Sequence, residues 1–532
     1  MRPASSRSTP LLARCAPCRP CCAAAPDRPR SGRTARSRTS PRHRPRSLRP
    51  VDLQTWTSWA GAEDYDVARF VLQRGVAAIA CLAFLSAVAQ FPALLGERGM
   101  LPVPRFMERR YARTLPVVWR WWRYTDRRLR ILAGGGAVLS AGIVVGLPQR
   151  GPAWVPVLCF LLLWLAYMSI SDVGQTFYGF GWESLLLESL FVVAFLGSDE
   201  VAPPIVVLVA IRWLVFRLEF GAGMIKMRGD RSWRDLTALY YHHETQPMPN
   251  PMSRTAHLLP RPVHRLETLG SHVVQLGVPF LLFAPQPVAS IAAALVLLTQ
   301  VWLVVTGNFA WLNWITLVLT FAAIDDRSVA TVLPFLRDVA EAGPSATPAW
   351  FVGLTVVVGL LLLVLSWPSA KNLVSRRQLM NASFNRWHLA NAYGAFGSVT
   401  QERDEVIVEG TLAEDPDEGD WLPYEFKGKP GDPRRRPAQF APYHLRLDWL
   451  MWFLALGADD GWFRVFVLRL LEADRQTLRL LRHDPFDGRR PRWVRARVFR
   501  YRFATRAERR ATGLYWVRQE RGLLLPPSGL RR

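Results

Sequence analysis

The sequence predicts a polytopic α-helical membrane protein of about eight to nine transmembrane helices, followed by a C-terminal α+β extramembrane domain. Three observations lead there. Half of the 532 residues are apolar while the net charge is +25, so apolar and basic residues occupy separate stretches. Several stretches of about 17 to 22 residues are nearly free of charge, the length an α-helix needs to cross about 30 Å of hydrocarbon. After Trp367-Pro368 the pattern changes to short alternating runs, the mark of half-buried strands.

Taken in order, residues 1–60 read as a disordered Arg/Pro/Ser-rich tail. Its first fifty residues hold thirteen arginines against Asp27 alone, and no periodic apolar pattern gives it a core. No apolar region follows its first arginines, so it is no secretory signal, and deleting 1–50 is expected to leave insertion intact. Residues 61–370 form the transmembrane domain, with spans expected at 70–95, 129–147, 153–171, 182–198, 201–225, 268–284, 286–305, 309–324 and 349–367, and a large loop at 226–267. Gly307-Asn308 reads as a tight turn between two closely spaced spans, and Asp325-Asp326 as a solvated boundary. Residues 375–520 form the extramembrane domain, with strands at 406–412, 421–427 and 493–504 and helices at 445–456 and 462–481; residues 521–532 are a tail. The acidic run Glu414–Asp420 lacks the alternating ligands and twelfth-position glutamate of a calcium loop, so it reads as a solvated hairpin connection.

Charge constrains orientation. The tail and the 98–130 loop are both arginine-rich with one span between them, so the positive-inside rule cannot hold for both. With nine spans, the 98–130 loop, the 226–267 loop and the C-terminal region share one face. Trp119, Trp121, Trp122 and Tyr124 among those arginines suit an interfacial helix on lipid headgroups. Only four lysines occur, a bias that coding composition explains, and no nucleic-acid partner is expected. Cys15, Cys18, Cys21 and Cys22 lie in the tail and Cys81 and Cys159 in apolar spans, which excludes a disulfide framework in the extramembrane regions after residue 60. The CxxCxxCC run lacks histidines at useful spacing, and neither a metal nor another cofactor is expected.

The chain is organised around Ile211–Ser253. Arg212, Arg217 and Glu219 lie in an apolar helix, as do Glu183 and Glu188 earlier; each intramembrane charge costs about 2.5–3.5 kcal/mol unless paired. Glu183 and Glu188 are therefore expected either to pair with Arg212 or Arg217 or to line a path. Beyond Lys226 come Trp233, Tyr240, Tyr241, His242, His243, Glu244 and Gln246, then Pro247, Pro249 and Pro251, which hold the backbone extended to present side chains. His242 and Glu244 are the candidates for general acid–base chemistry. Neighbouring histidines point apart and no HExxH occurs, so no zinc site is read there. No GxSxG elbow, Walker A loop or GxGxxG after a strand is present, so lipase, NTPase and dinucleotide readings lack their marks. Trp233, Tyr240, Tyr241, Tyr424, Arg434, Arg435 and Arg436 are the candidates for a protein-binding surface, because Trp, Tyr and Arg dominate interfaces. Trp449, Trp452, Phe453 and Leu456 share one helical stripe and read as core.

The same stretch, with Phe70–Gly75, Phe177–Glu183, Thr306–Phe309, Asn391–Gly397, Tyr424–Asp432 and Arg446–Trp449 in that order, resembles the lipase maturation factor family. The resemblance covers residues 60 to 520. It implies a multi-pass membrane chaperone whose loops and C-terminal region assist the folding of secreted lipases, with membrane lipids and a client lipase or other secreted protein as partners. It implies an endoplasmic reticulum membrane, or the plasma (inner) membrane of a bacterial source, with the shared loop face lumenal or extracytoplasmic. It implies no enzyme activity. The family more often reads His-Tyr where this chain has His242-His243, so no role is carried to His243. Two alternatives remain open: a membrane-embedded enzyme of the carboxylase-like transmembrane bundle type using His242 and Glu244, and a lipid or solute carrier lined by Glu183, Glu188, Arg212 and Arg217. On the chaperone reading, removing 375–520 is expected to leave the membrane bundle folded.

Overall fold

The computed structural model describes residues 58–334, 347–458 and 461–530. The tail with its four cysteines lies outside them. The longer helices are α1 (Asp66–Leu95), α2 (Asp126–Val144), α3 (Trp154–Ser171), α4 (Gly181–Val193), α5 (Ile205–Arg228), α6 (Leu239–Thr245), α7 (Arg261–Leu276), α8 (Val288–Thr306), α9 (Leu312–Thr320) and α10 (Ala349–Leu365). Every expected span falls on one of these, α6 being extra. Among the described residues, four stretches are long and apolar enough to cross a membrane: Asp66–Leu95, Trp154–Ser171, Val288–Thr306 and Ala349–Val374. The other segments are shorter, α4 having 13 residues and α9 nine, or carry charges, α2 in its first turn and α5 along its length.

The connections gather at two ends. At one, the Ala62 amide donates to Pro203 O (2.9 Å), Asp199 to Gln149 O (2.9 Å) and Asp326 to Asp64 O (2.8 Å), while Gln286 Nε2 donates to Tyr65 and Ala323. At the other, Gln175 reaches Leu101 O, Asn308 reaches Pro249 and Ala438, and Arg446 reaches Phe177 O. Successive long helices run alternately between these ends. Their outward faces are apolar: Val138, Leu158, Leu162, Ile291, Leu298, Leu363 and Val364 are all exposed. Exposed Trp121, Trp122 and Trp367 mark one end and Trp154 and Trp350 the other, as two aromatic girdles do at membrane–water boundaries.

Asp325 and Asp326, expected to be solvated, are buried. Asp326 accepts from the Asp66 and Val67 amides at 2.9 and 3.0 Å, capping the first turn of α1, whose free N–H groups need acceptors.

The C-terminal region carries an antiparallel sheet, β1 (Arg403–Thr411), β2 (Leu422–Pro423), β3 (Trp493–Phe503) and β4 (Trp516–Ser528), in the order β2-β1-β3-β4. Two helices accompany it, α11 (Arg446–Ala455) and α12 (Trp462–Leu471). Strand β4 overturns the tail expected from 521. Its run Leu523-Leu524-Leu525-Pro526-Pro527 neither alternates nor avoids proline, and an edge strand tolerates both. The acidic connection between β1 and β2 is exposed around Glu414, Asp415 and Glu418.

Buried charge ties this region to the helices. Arg446 of α11 donates to Glu183 Oε1 (2.7 Å) and to Phe177 O (2.9 Å), its guanidinium 3.4 Å from the centre of the Tyr178 ring. Tyr167 donates to the other Glu183 oxygen. Glu188 accepts from Arg217, from the Asn391 backbone and side chain (3.0 Å each) and from Tyr393 (2.7 Å). Of the pairs expected, Glu188–Arg217 forms. Glu183 instead takes a C-terminal partner, and Arg212 donates to Ala322 O (2.8 Å). Gly221 lets the C-terminal segment approach α5: a Cβ there would stand 2.4 Å from Tyr393 O, a clash only glycine avoids.

Candidate functional site: a cavity between the helices and the C-terminal segment

The stretch from Thr245 to Asn250 is buried. Its prolines do not present side chains; they lay the chain over the end of α8, whose last carbonyls lack helical partners. Gln246 and Ser253 donate to Thr306 O (2.9 and 2.8 Å) and Asn250 to Val305 O (2.7 Å). Asn308, read as a turn residue, is a clasp: it donates to Pro249 and Ala438 and accepts from the Phe440 and Ala441 amides (2.8 and 2.9 Å). Arg403 of β1 completes the anchor on the carbonyls of Glu244, Gln246 and Pro247.

Below this cap lies a cavity of about 700 Å³. Leu218 and Ala222 of α5, Val274 of α7, Leu295 and Leu303 of α8, Phe396, Trp449 and Phe453 give it apolar walls. One polar chain crosses it. Asn313 donates to Gln300 (2.7 Å), Gln300 and Gln275 donate to Glu219 (2.6 and 3.3 Å), and Lys226 donates to Gln275 (2.9 Å). Lys226 also stands 4.5 Å from the centre of the Trp233 ring. A volume of this size with a few fixed polar groups suits a small or lipid-like apolar ligand.

His242 lines the cavity, its ring stacked on Phe309 at 6.0 Å. Glu244 does not join it. Two residues on along α6, it accepts from the Phe503 amide (2.7 Å) and faces His257 Nε2 at 3.4 Å, so the expected acid–base pair is not assembled. Burial pushes His242 down to about 3 and His257 down to about 4, and raises Glu244.

These depressed histidines predict a pH response. A histidine kept neutral in the fold contributes stability that is present above its ordinary value near 6.5 and lost as pH falls toward its folded value. At pH 5 His242 and His257 should each withdraw about 2 kcal/mol. Thermal unfolding in detergent at pH 7 and pH 5 checks it, and His242→Phe, which keeps the stack on Phe309, should halve the drop.

Of the expected surface residues, Trp233 and Tyr424 are 2% and 3% exposed and belong to the interior. Trp233 donates to Phe396 O (2.8 Å), and Tyr424 packs edge-to-face against Phe486. An aromatic-rich run suits a packed cap as well as an interface, which is why the sequence misplaces them. Tyr240 and Tyr241 are half-buried and Arg434 and Arg436 exposed; Arg435 turns inward onto the Phe426 carbonyl (3.1 Å). The stripe read as core divides: Trp449 is buried, Trp452 and Phe453 line the cavity, and Leu456 is exposed. Glu183, Glu188, Arg212 and Arg217 are absent from the lining of this cavity, whereas Glu219 and Lys226 of α5 face it.

Both parts of the chain match known families. Residues 67–331 match the lipase maturation factor transmembrane domain and residues 389–526 the lipase maturation factor C-terminal domain. The chain belongs to the lipase maturation factor family. Lipase maturation factor 1 of Homo sapiens is 39% identical over 522 residues, covering 90% of each chain. That of Mus musculus is 38% identical, covering 90% of this chain and 89% of its own. Lipase maturation factor 2 of Homo sapiens is 29% identical over 584 residues, with 85% and 81% covered. No solved structure matches the chain. The cavity draws on both matched domains, with Leu218, Gln300 and Asn313 from the first and Phe396 and Trp449 from the second.

Proposed function

We propose that the chain is a membrane-anchored maturation factor that assists the folding and assembly of a secreted lipase. The observation that carries this is the match to lipase maturation factor 1 of Homo sapiens over 90% of both chains, which leaves little of either protein outside the comparison. The activity needs no covalent step. Preferential binding to productive intermediates of a client shifts its folding toward the native form. The candidate contact surface is Tyr240, Tyr241, Arg434 and Arg436. Affinity capture of crosslinked partners from the native membrane tests the reading: a lipase among them supports it, and repeated recovery of other clients without any lipase counts against it.

The membrane is that of the endoplasmic reticulum, or the plasma membrane where the cell lacks that organelle, because lipases destined for secretion fold beyond it. Nine crossings are proposed, from the alternation of the helices between two girdled ends. Reporter fusions at Gly229 and Gly431 should then lie in one compartment, and opposite compartments would exclude an even number of crossings between them. Exposed Asn381, in the sequence Asn381-Ala382-Ser383, should accept glycan in a host that glycosylates that face.

A further inference from the structure

Helix α7 places His264 and Glu267 three residues apart, on one face, and α6 packs across that face with His243. Donor atoms of His243, His264 and Glu267 all lie within 4.8 Å of one another. His243 Nε2 is 3.5 Å from Glu267 Oε1 and His264 Nδ1 is 3.8 Å from Glu267 Oε2. These contacts do not satisfy the groups. Both ring nitrogens of His243, His264 Nδ1 and Glu267 Oε2 are buried without a hydrogen-bond partner, and His243 and His264 are each only 2% exposed. Each such orphan costs on the order of 1–3 kcal/mol, and one donor atom from each of the three residues converges on one point.

The surroundings are arranged as around a bound ion. His264 Nε2 lies 3.2 Å from His257 O; donating there fixes the tautomer that leaves the Nδ1 lone pair facing Glu267. The indole of Trp302 donates to Glu267 Oε1, orienting the carboxylate and leaving Oε2 toward His264. Metal-binding histidines and carboxylates are commonly held by such outer hydrogen bonds.

We propose that His243, His264 and Glu267 bind a divalent first-row transition ion, zinc by the nature of the donors. Two imidazoles and one carboxylate suit that borderline ion, and three protein ligands leave a position open to water or ligand. Tetrahedral ligation at about 2.1 Å would bring the donors to about 3.4 Å from each other, a closure within reach of side-chain rotation. His243 and Glu267 also line the cavity, so the open position faces it. Sequence spacing hides the set because its members sit on two helices.

The test uses the full chain, purified in detergent through a tag without histidine. Elemental analysis should find about one zinc per chain, and protein stripped by chelator should take up cobalt(II) with the visible absorption of a low-coordinate site. His243→Gln, His264→Gln and Glu267→Gln should each weaken uptake more than about 100-fold while eluting as the parent does. Wild-type protein that takes up neither zinc nor cobalt(II) overturns the proposal, whatever the variants do. So does parental uptake by all three variants, which would place any ion elsewhere.

Discussion

Arg446→Met is expected to destabilise the protein by about 3–5 kcal/mol, the cost of leaving one member of a buried ion pair unpartnered. Arg446 and Glu183 are 0% and 1% exposed, so losing the guanidinium strands a carboxylate in the interior. His444 Nδ1, at 3.4 Å, is too weak a substitute. In detergent the variant should unfold well below the parent temperature. The double variant Glu183→Gln with Arg446→Met should recover most of the loss, because a neutral amide keeps the Tyr167 contact without an unpaired charge. If the double variant is no more stable than Arg446→Met alone, the loss comes from packing against Tyr178 and not from charge.

Removing residues 375–530 should collapse the helical bundle. The cut takes Arg446 from Glu183, Asn391 and Tyr393 from Glu188, and the Phe440 and Ala441 amides from Asn308. It also uncovers apolar surface on α4 and α5. The truncated chain should aggregate or yield to protease at concentrations where the whole chain is intact. A monodisperse, protease-resistant product would show that the helices stand alone, as the sequence reading expected.

A linear sequence displays local patterns and hides long-range partners. The helices were readable because hydrophobic runs are local, and each expected span landed on one. The Glu188–Arg217 pair was readable because both residues are costly in an apolar helix and must find partners. Glu183 was equally costly, yet its partner lies 263 residues away in a segment that reads as extramembrane, and nothing in the spacing points to it. Strand β4 was missed because an edge strand obeys neither alternation nor proline avoidance. For the site, the density of aromatic and polar residues around Trp233–Gln246 marked the right stretch but not its direction. Chain connectivity suggested His242 with Glu244, whereas folding set His243 against His264 and Glu267 and turned Glu244 toward Phe503.

On the proposed function, this chain raises the yield of folded lipase. The direct measurement is the activity of a secreted lipase per unit of secreted lipase protein, in cells lacking their own maturation factor, with and without this chain at matched expression. A severalfold rise is expected with the intact chain and none with Arg446→Met. Unchanged specific activity for every lipase tested, with the chain correctly inserted and folded, would contradict it.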